Sequence, residues 1–135
     1  MKRPRDYQRQ RVYNAETRCF GQPVEGLTLD KCKEFLNSVV TKMNLSSVTI
    51  NDGRGRGRAG AYHNNRIIAL PKFARREWVI CHELAHLETP NNVPAHGPEF
   101  CKNYLEIVKK ALGEEFSVIL KETFLESGVD VDYIK

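Results

Sequence analysis

The chain has no Cys-x-x-Cys pair: Cys19, Cys32, Cys81 and Cys101 are scattered along its 135 residues. That spacing argues against both a zinc ribbon and a disulfide framework, and the natural expectation is a reduced, cytoplasmic protein. No apolar run approaches the roughly 20 residues that a membrane helix needs, so no membrane contact is expected. The basic start MKRPRDYQRQR is not followed by the apolar stretch of a secretory signal. Internal repeats and low-complexity tracts are lacking as well. What is there, 41% hydrophobic and 28% charged residues, is the composition of a globular protein. A chain of this length fits a single domain, residues 1–135, with one core.

The net charge of +4 is unevenly placed. Residues 1–20 carry six basic side chains against Asp6 and Glu16, and residues 53–76 carry seven with no acid. From 111 to 135 the balance reverses, with six acids against Lys121 and Lys135. A basic region permits contact with a polyanion without requiring it.

Residues 1–12 read as a basic, flexible arm, ordered only where Tyr7, Val12 and Tyr13 find something to cover, and GQPVEG (21–26) as a loop. From Thr28, a suitable N-cap, Cys32, Phe35, Leu36, Val39, Val40 and Met43 follow helical spacing. SSVTIN reads as a short strand, DGRGRGRAG as a loop, and the two β-rich runs around Asn64-Asn65 as a hairpin. A helix is expected from about Arg75 to Leu87. Pro90 and Pro94 then force a loop, and a second helix starts near Pro98 with Phe100, Tyr104, Ile107, Val108 and Ala111 on its buried stripe. EEFSVILKETFLES offers a last helix, before an extended tail, VDVDYI. The order of elements indicates an α+β protein with a small antiparallel sheet.

Three of the four histidines fall in CHELAHLETPNNVPAHGPEF, residues 81–100. His82 and His86, at i and i+4, stack their rings on one helix face, where both can bind one cation at ~2.0–2.1 Å. Glu83, rotated about 100° from His82, stands near the metal without having to ligate it. There it can take a proton from water whose pKa the cation lowers towards ~7. The bland alternative, a helix that merely carries histidines, would leave two rings and a carboxylate to be buried on an apolar element.

A catalytic zinc needs a third protein ligand. His96, beyond the proline loop and beside Gly97, is the best candidate. Glu106 is the rival, at the spacing where thermolysin-like enzymes place a ligand glutamate, although it points away from the Phe100–Tyr104–Ile107 stripe. Glu88 and Glu99 are weaker options. Elsewhere, His63 could bond an oxyanion but more simply sits exposed, while Cys81, Tyr104 and Trp78 read as core. Arg54, Arg56 and Arg58, set between glycines, could contact a phosphate backbone weakly and without sequence preference, or form a solvated loop.

HELAH followed by HGPEF resembles the SprT-like metallopeptidases, whose motif is HExxH, a variable loop, then H-G-x-x-F. The wider chain, from RDYQRQRVYNAE to ALPKFARREWVICHELAHLE, is similar to a small family of metallohydrolases of actinobacteria and their phages. The specific motifs cover about residues 60–112. The resemblance implies His82, His86 and His96 as zinc ligands and Glu83 as catalytic base. It also implies a zincin-like domain, with the small sheet packed against the HExxH helix. In such a fold the sheet edge near Arg66–Leu70 is expected to hold an extended peptide by strand addition. Many SprT-like proteins add a zinc ribbon that helps bind DNA, and the cysteines here supply none. The expected function is zinc-dependent hydrolysis of a peptide bond in a peptide or protein substrate, in a bacterial or phage-host cytoplasm. The competing expectation is a non-catalytic nucleic-acid-binding protein with a structural zinc, in which Glu83 would have no role.

Overall fold

The computed structural model describes residues 4–21 and 26–131. The loop expected at 21–26 lies largely outside them, and the tail expected at 129–134 is described only over residues 129–131. In chain order the elements are α1 (Arg9–Phe20), α2 (Leu29–Met43), β1 (Thr49–Asn51), β2 (Gly60–Tyr62), β3 (Ile67–Ala69), α3 (Glu77–Leu87), α4 (Pro98–Leu112) and α5 (Glu114–Glu126). The protein is α+β, as expected. No helix among the described residues is long and apolar enough to cross a membrane. The chain divides into two compact units, residues 23–87 and residues 1–22 with 88–135.

In the unit of residues 23–87, α2 begins where Thr28 Oγ1 accepts the Lys31 N–H at 3.1 Å, satisfying a donor the helix cannot. It ends at Asn44 in the left-handed conformation, φ 57°. Cys32, Leu36 and Val39 of the expected stripe are buried. Helix α2 packs on β1 and α3, and α3 packs on β2 and β3. Eight of the eleven residues of α3 are buried, so this helix is core on most of its faces. Ile80 and Leu84, almost wholly removed from water, each contribute about 1.5–3 kcal/mol by burial.

The sheet is mixed rather than antiparallel, in the order β1-β3-β2. β1 runs parallel to β3 with Ile50 beside Ile68, and β2 runs antiparallel with Ala61 beside Ile68. The stretch Arg66–Leu70 is therefore central, and the strand addition expected there is excluded because both of its sides are already paired. Arg66 explains the parallel pairing. Held at φ 49°, it accepts the Thr49 N–H at 2.9 Å. Its guanidinium donates to the carbonyls of Ser46 and Ser47 at 3.2 and 3.3 Å, which aligns β1 with β3.

At the far end the Leu70 N–H donates to Asn51 O at 3.1 Å, and Gly53 turns the chain away towards the arginine–glycine loop. Gly53 has φ +61°, and a Cβ there would lie 2.6 Å from Pro71 N and Cδ. Gly53→Ala should thus lose at least the ~1–2 kcal/mol of a left-handed non-glycine residue, with further loss from the backbone contact. A lowered midpoint in urea unfolding checks this, and an unchanged midpoint would show that the turn relaxes freely.

In the other unit, α5 packs on both α1 and α4. Gly97 and Pro98 start α4, which buries Phe100, Tyr104, Ile107 and Val108 of the expected stripe and Cys101 besides, while Ala111, near its end, is only half-buried. The arm is ordered at Val12 as expected, but it departs from expectation in being helical from Arg9, in a helix α1 that also buries Ala15 and Glu16. The Glu16 carboxylate is tolerated inside because Tyr104 donates its hydroxyl proton to Oε2 at 2.7 Å. Rings of Phe100, Tyr104 and Phe124 follow one another with centroids 5.4 and 6.1 Å apart.

Candidate metal centre

Helix α3 carries His82 and His86 one turn apart, and their Nε2 atoms are 3.2 Å from each other. Two donors at ~2.0–2.1 Å from a common cation, spread at a tetrahedral angle, would stand ~3.3 Å apart. The pair thus has the spacing of two ligands of one ion. Glu83, between them in sequence, is buried on the same helix.

His96 lies in the loop between α3 and α4. The loop is shaped by a turn in which the Gly97 N–H donates to Pro94 O at 3.2 Å. Its beginning is held by Asn103, whose Nδ2 donates to Glu88 O and Thr89 Oγ1, both at 3.1 Å. His96 itself is buried. Its Nδ1 faces both oxygens of Asp6 at 3.2 and 3.0 Å, and its N–H reaches Asp6 Oδ1 at 3.2 Å. Its carbonyl accepts from Gln8 Nε2 at 2.8 Å. Tyr13 and Phe100 lie edge-on to the ring at 5.2 and 5.0 Å.

One ligand-type nitrogen from each of His82, His86 and His96 lies within 4.8 Å of the others, close enough to hold one metal ion. No carboxylate joins this cluster among the described residues. Glu106, the rival third ligand, is exposed on α4, and Glu88 and Glu99 are half-buried outside the cluster. Three neutral imidazoles are a donor set that suits zinc and leaves a fourth position open. His96 Nδ1 faces the Asp6 carboxylate, and a carboxylate is the usual outer partner of a metal-ligating histidine.

Sequence reasoning missed Asp6 and Gln8, and it named Tyr13 only as a residue with something to cover, without its place against His96. The only signal was Asp6 as the single acid within a run of basic residues. The remaining candidates divide. Cys81 is buried, and burial first, then the nearby Glu77 charge, pushes its thiol pKa well up, so it stays a neutral core group. Tyr104 is a core residue bonded to Glu16. His63 and Trp78 are half-buried.

Of the basic residues in 53–76, Arg75 is buried and donates to Leu70 O at 2.9 Å, and Arg66 braces β1. Arg56 folds onto Tyr62, hydrogen-bonded to its hydroxyl with the guanidinium 5.3 Å from the ring centre. Arg54 and Arg58 are exposed. Compared with known protein families, curated proteins and solved structures, the chain matches none.

Proposed function

We propose that the chain is a zinc-dependent hydrolase of the HExxH type, a SprT-like metallopeptidase with a zincin-like fold that cleaves peptide bonds in cytoplasmic protein substrates. The observation that carries this is the gathering of His82, His86 and His96 within 4.8 Å, with Glu83 buried on the helix that bears two of them. Zinc held by the three imidazoles would supply Lewis acidity, polarising a carbonyl and lowering the pKa of water at the open position towards ~7. Glu83 is the proton acceptor: its carboxylate takes the proton of the attacking water and can pass it to the departing amine. A structural zinc site would fill all four positions with Cys and His, and it would give Glu83 nothing to do.

Metal analysis of the purified chain, with cleavage of a labelled unfolded protein before and after chelation, tests this reading. One zinc per chain and cleavage restored by added zinc are expected. A chain that takes up no zinc from a stoichiometric solution overturns it. The third ligand has its own check. His96→Ala should weaken zinc by about two orders of magnitude, the share of one ligand in a site worth roughly 10–16 kcal/mol over four. Glu106→Ala should leave it nearly intact. The reverse ranking, read by chelator competition, would favour a thermolysin-like set.

A further inference from the structure

We propose that Asp6 is the positioning residue of the metal centre, fixing His96 as the Nδ1–H tautomer so that Nε2 is always available to the ion. This rests on the metal reading above and adds to it a residue ninety positions away from its ligand. A neutral imidazole can carry its proton on either nitrogen, and only the unprotonated one can bind a metal. Both Asp6 oxygens stand within 3.2 Å of Nδ1, and an ionised carboxylate can only accept. The proton is therefore drawn to Nδ1.

The surrounding contacts remove the ring's other freedoms. Asp6 Oδ1 also accepts the His96 N–H at 3.2 Å. Gln8 holds the His96 carbonyl at 2.8 Å. Gln8 is itself anchored to the Asp130 backbone, donating to its carbonyl at 3.0 Å and accepting from its N–H at 2.8 Å. The ring cannot turn without giving up the edge contacts of Tyr13 and Phe100. A side chain that ties backbone and ring of one residue at once sets both where the ring points and which nitrogen is bare.

This geometry makes a sharp prediction for the isosteric change Asp6→Asn. The His96 N–H needs an acceptor, so the amide oxygen takes the Oδ1 place. The amide NH2 then occupies the Oδ2 place, 3.0 Å from Nδ1, where it can only donate. His96 is driven to the Nε2–H tautomer, and its ligating nitrogen is capped by a proton. Asp6→Asn should thus lose zinc affinity at least as severely as Asp6→Ala, by roughly 10–100-fold, although it preserves shape and packing.

The experiment compares wild type, Asp6→Ala and Asp6→Asn by zinc competition with a chromogenic chelator. It is joined by imidazole 15N–1H spectra of the zinc-free proteins and by their thermal midpoints. Wild type should show His96 as Nδ1–H and Asp6→Asn as Nε2–H, with similar midpoints. A purely structural Asp6 would lower midpoints without moving the tautomer, and that pattern overturns the proposal. So does Asp6→Asn affinity within twofold of wild type. A wild-type chain that takes up no zinc overturns the metal reading and this proposal together, whereas uptake with unchanged affinity in both variants overturns the proposal alone.

Discussion

His82→Ala and His86→Ala are each expected to lower zinc affinity by about two orders of magnitude or more, so that metal is lost on dialysis against a moderate chelator. If a four-ligand zinc site is worth about 10–16 kcal/mol, one ligand carries ~3 kcal/mol, and 1.4 kcal/mol is a factor of ten. The two rings are not independent. Their Nε2 atoms are 3.2 Å apart, so removing either leaves the other with one near donor fewer and an ion open to water. His63→Ala is the control: it deletes the one histidine outside the cluster and should leave zinc uptake unchanged. Full metal content in both α3 variants, or an equal loss in the control, would remove the basis for a centre at these residues.

Much of the helical framework was legible in the sequence because it is written in spacing. Thr28 marks the start of α2 and Pro98 that of α4, and in each the buried positions recur every three or four residues. Helix α1 was hidden because its buried positions include Glu16, which reads as a surface charge until Tyr104 is found bonded to it. Gln8, just before it, is buried for a similar reason, bonded to His96 and Asp130. A pattern of apolar residues cannot announce polar groups that are buried in pairs.

Strands of three residues are too short to reveal their order. The central place of β3 depends on Gly53 turning the chain away and on the Arg66 guanidinium bracing the start of β1, two local effects with no periodic trace. The three histidines were legible because their chemistry fixes their type and two of them share one helix turn. Asp6 was not, since its partner lies ninety residues away and no spacing links them.

Glu83→Gln is expected to keep zinc at wild-type affinity while lowering hydrolysis by roughly 10²–10⁴-fold, the usual contribution of a general base. The amide fills the same space in the buried interior of α3, so the helix and the placement of His82 and His86 should persist. What is lost is chemical: an amide nitrogen's lone pair is delocalised into its carbonyl and cannot take a proton, and its oxygen is too weak a base to substitute. Metal content measured beside turnover separates the possible roles. Zinc retained with activity lost marks Glu83 as the base. Zinc lost together with activity would instead place the carboxylate among the groups that hold the ion. Zinc and turnover both unchanged would show that Glu83 is not the base and that the proton of the attacking water goes elsewhere.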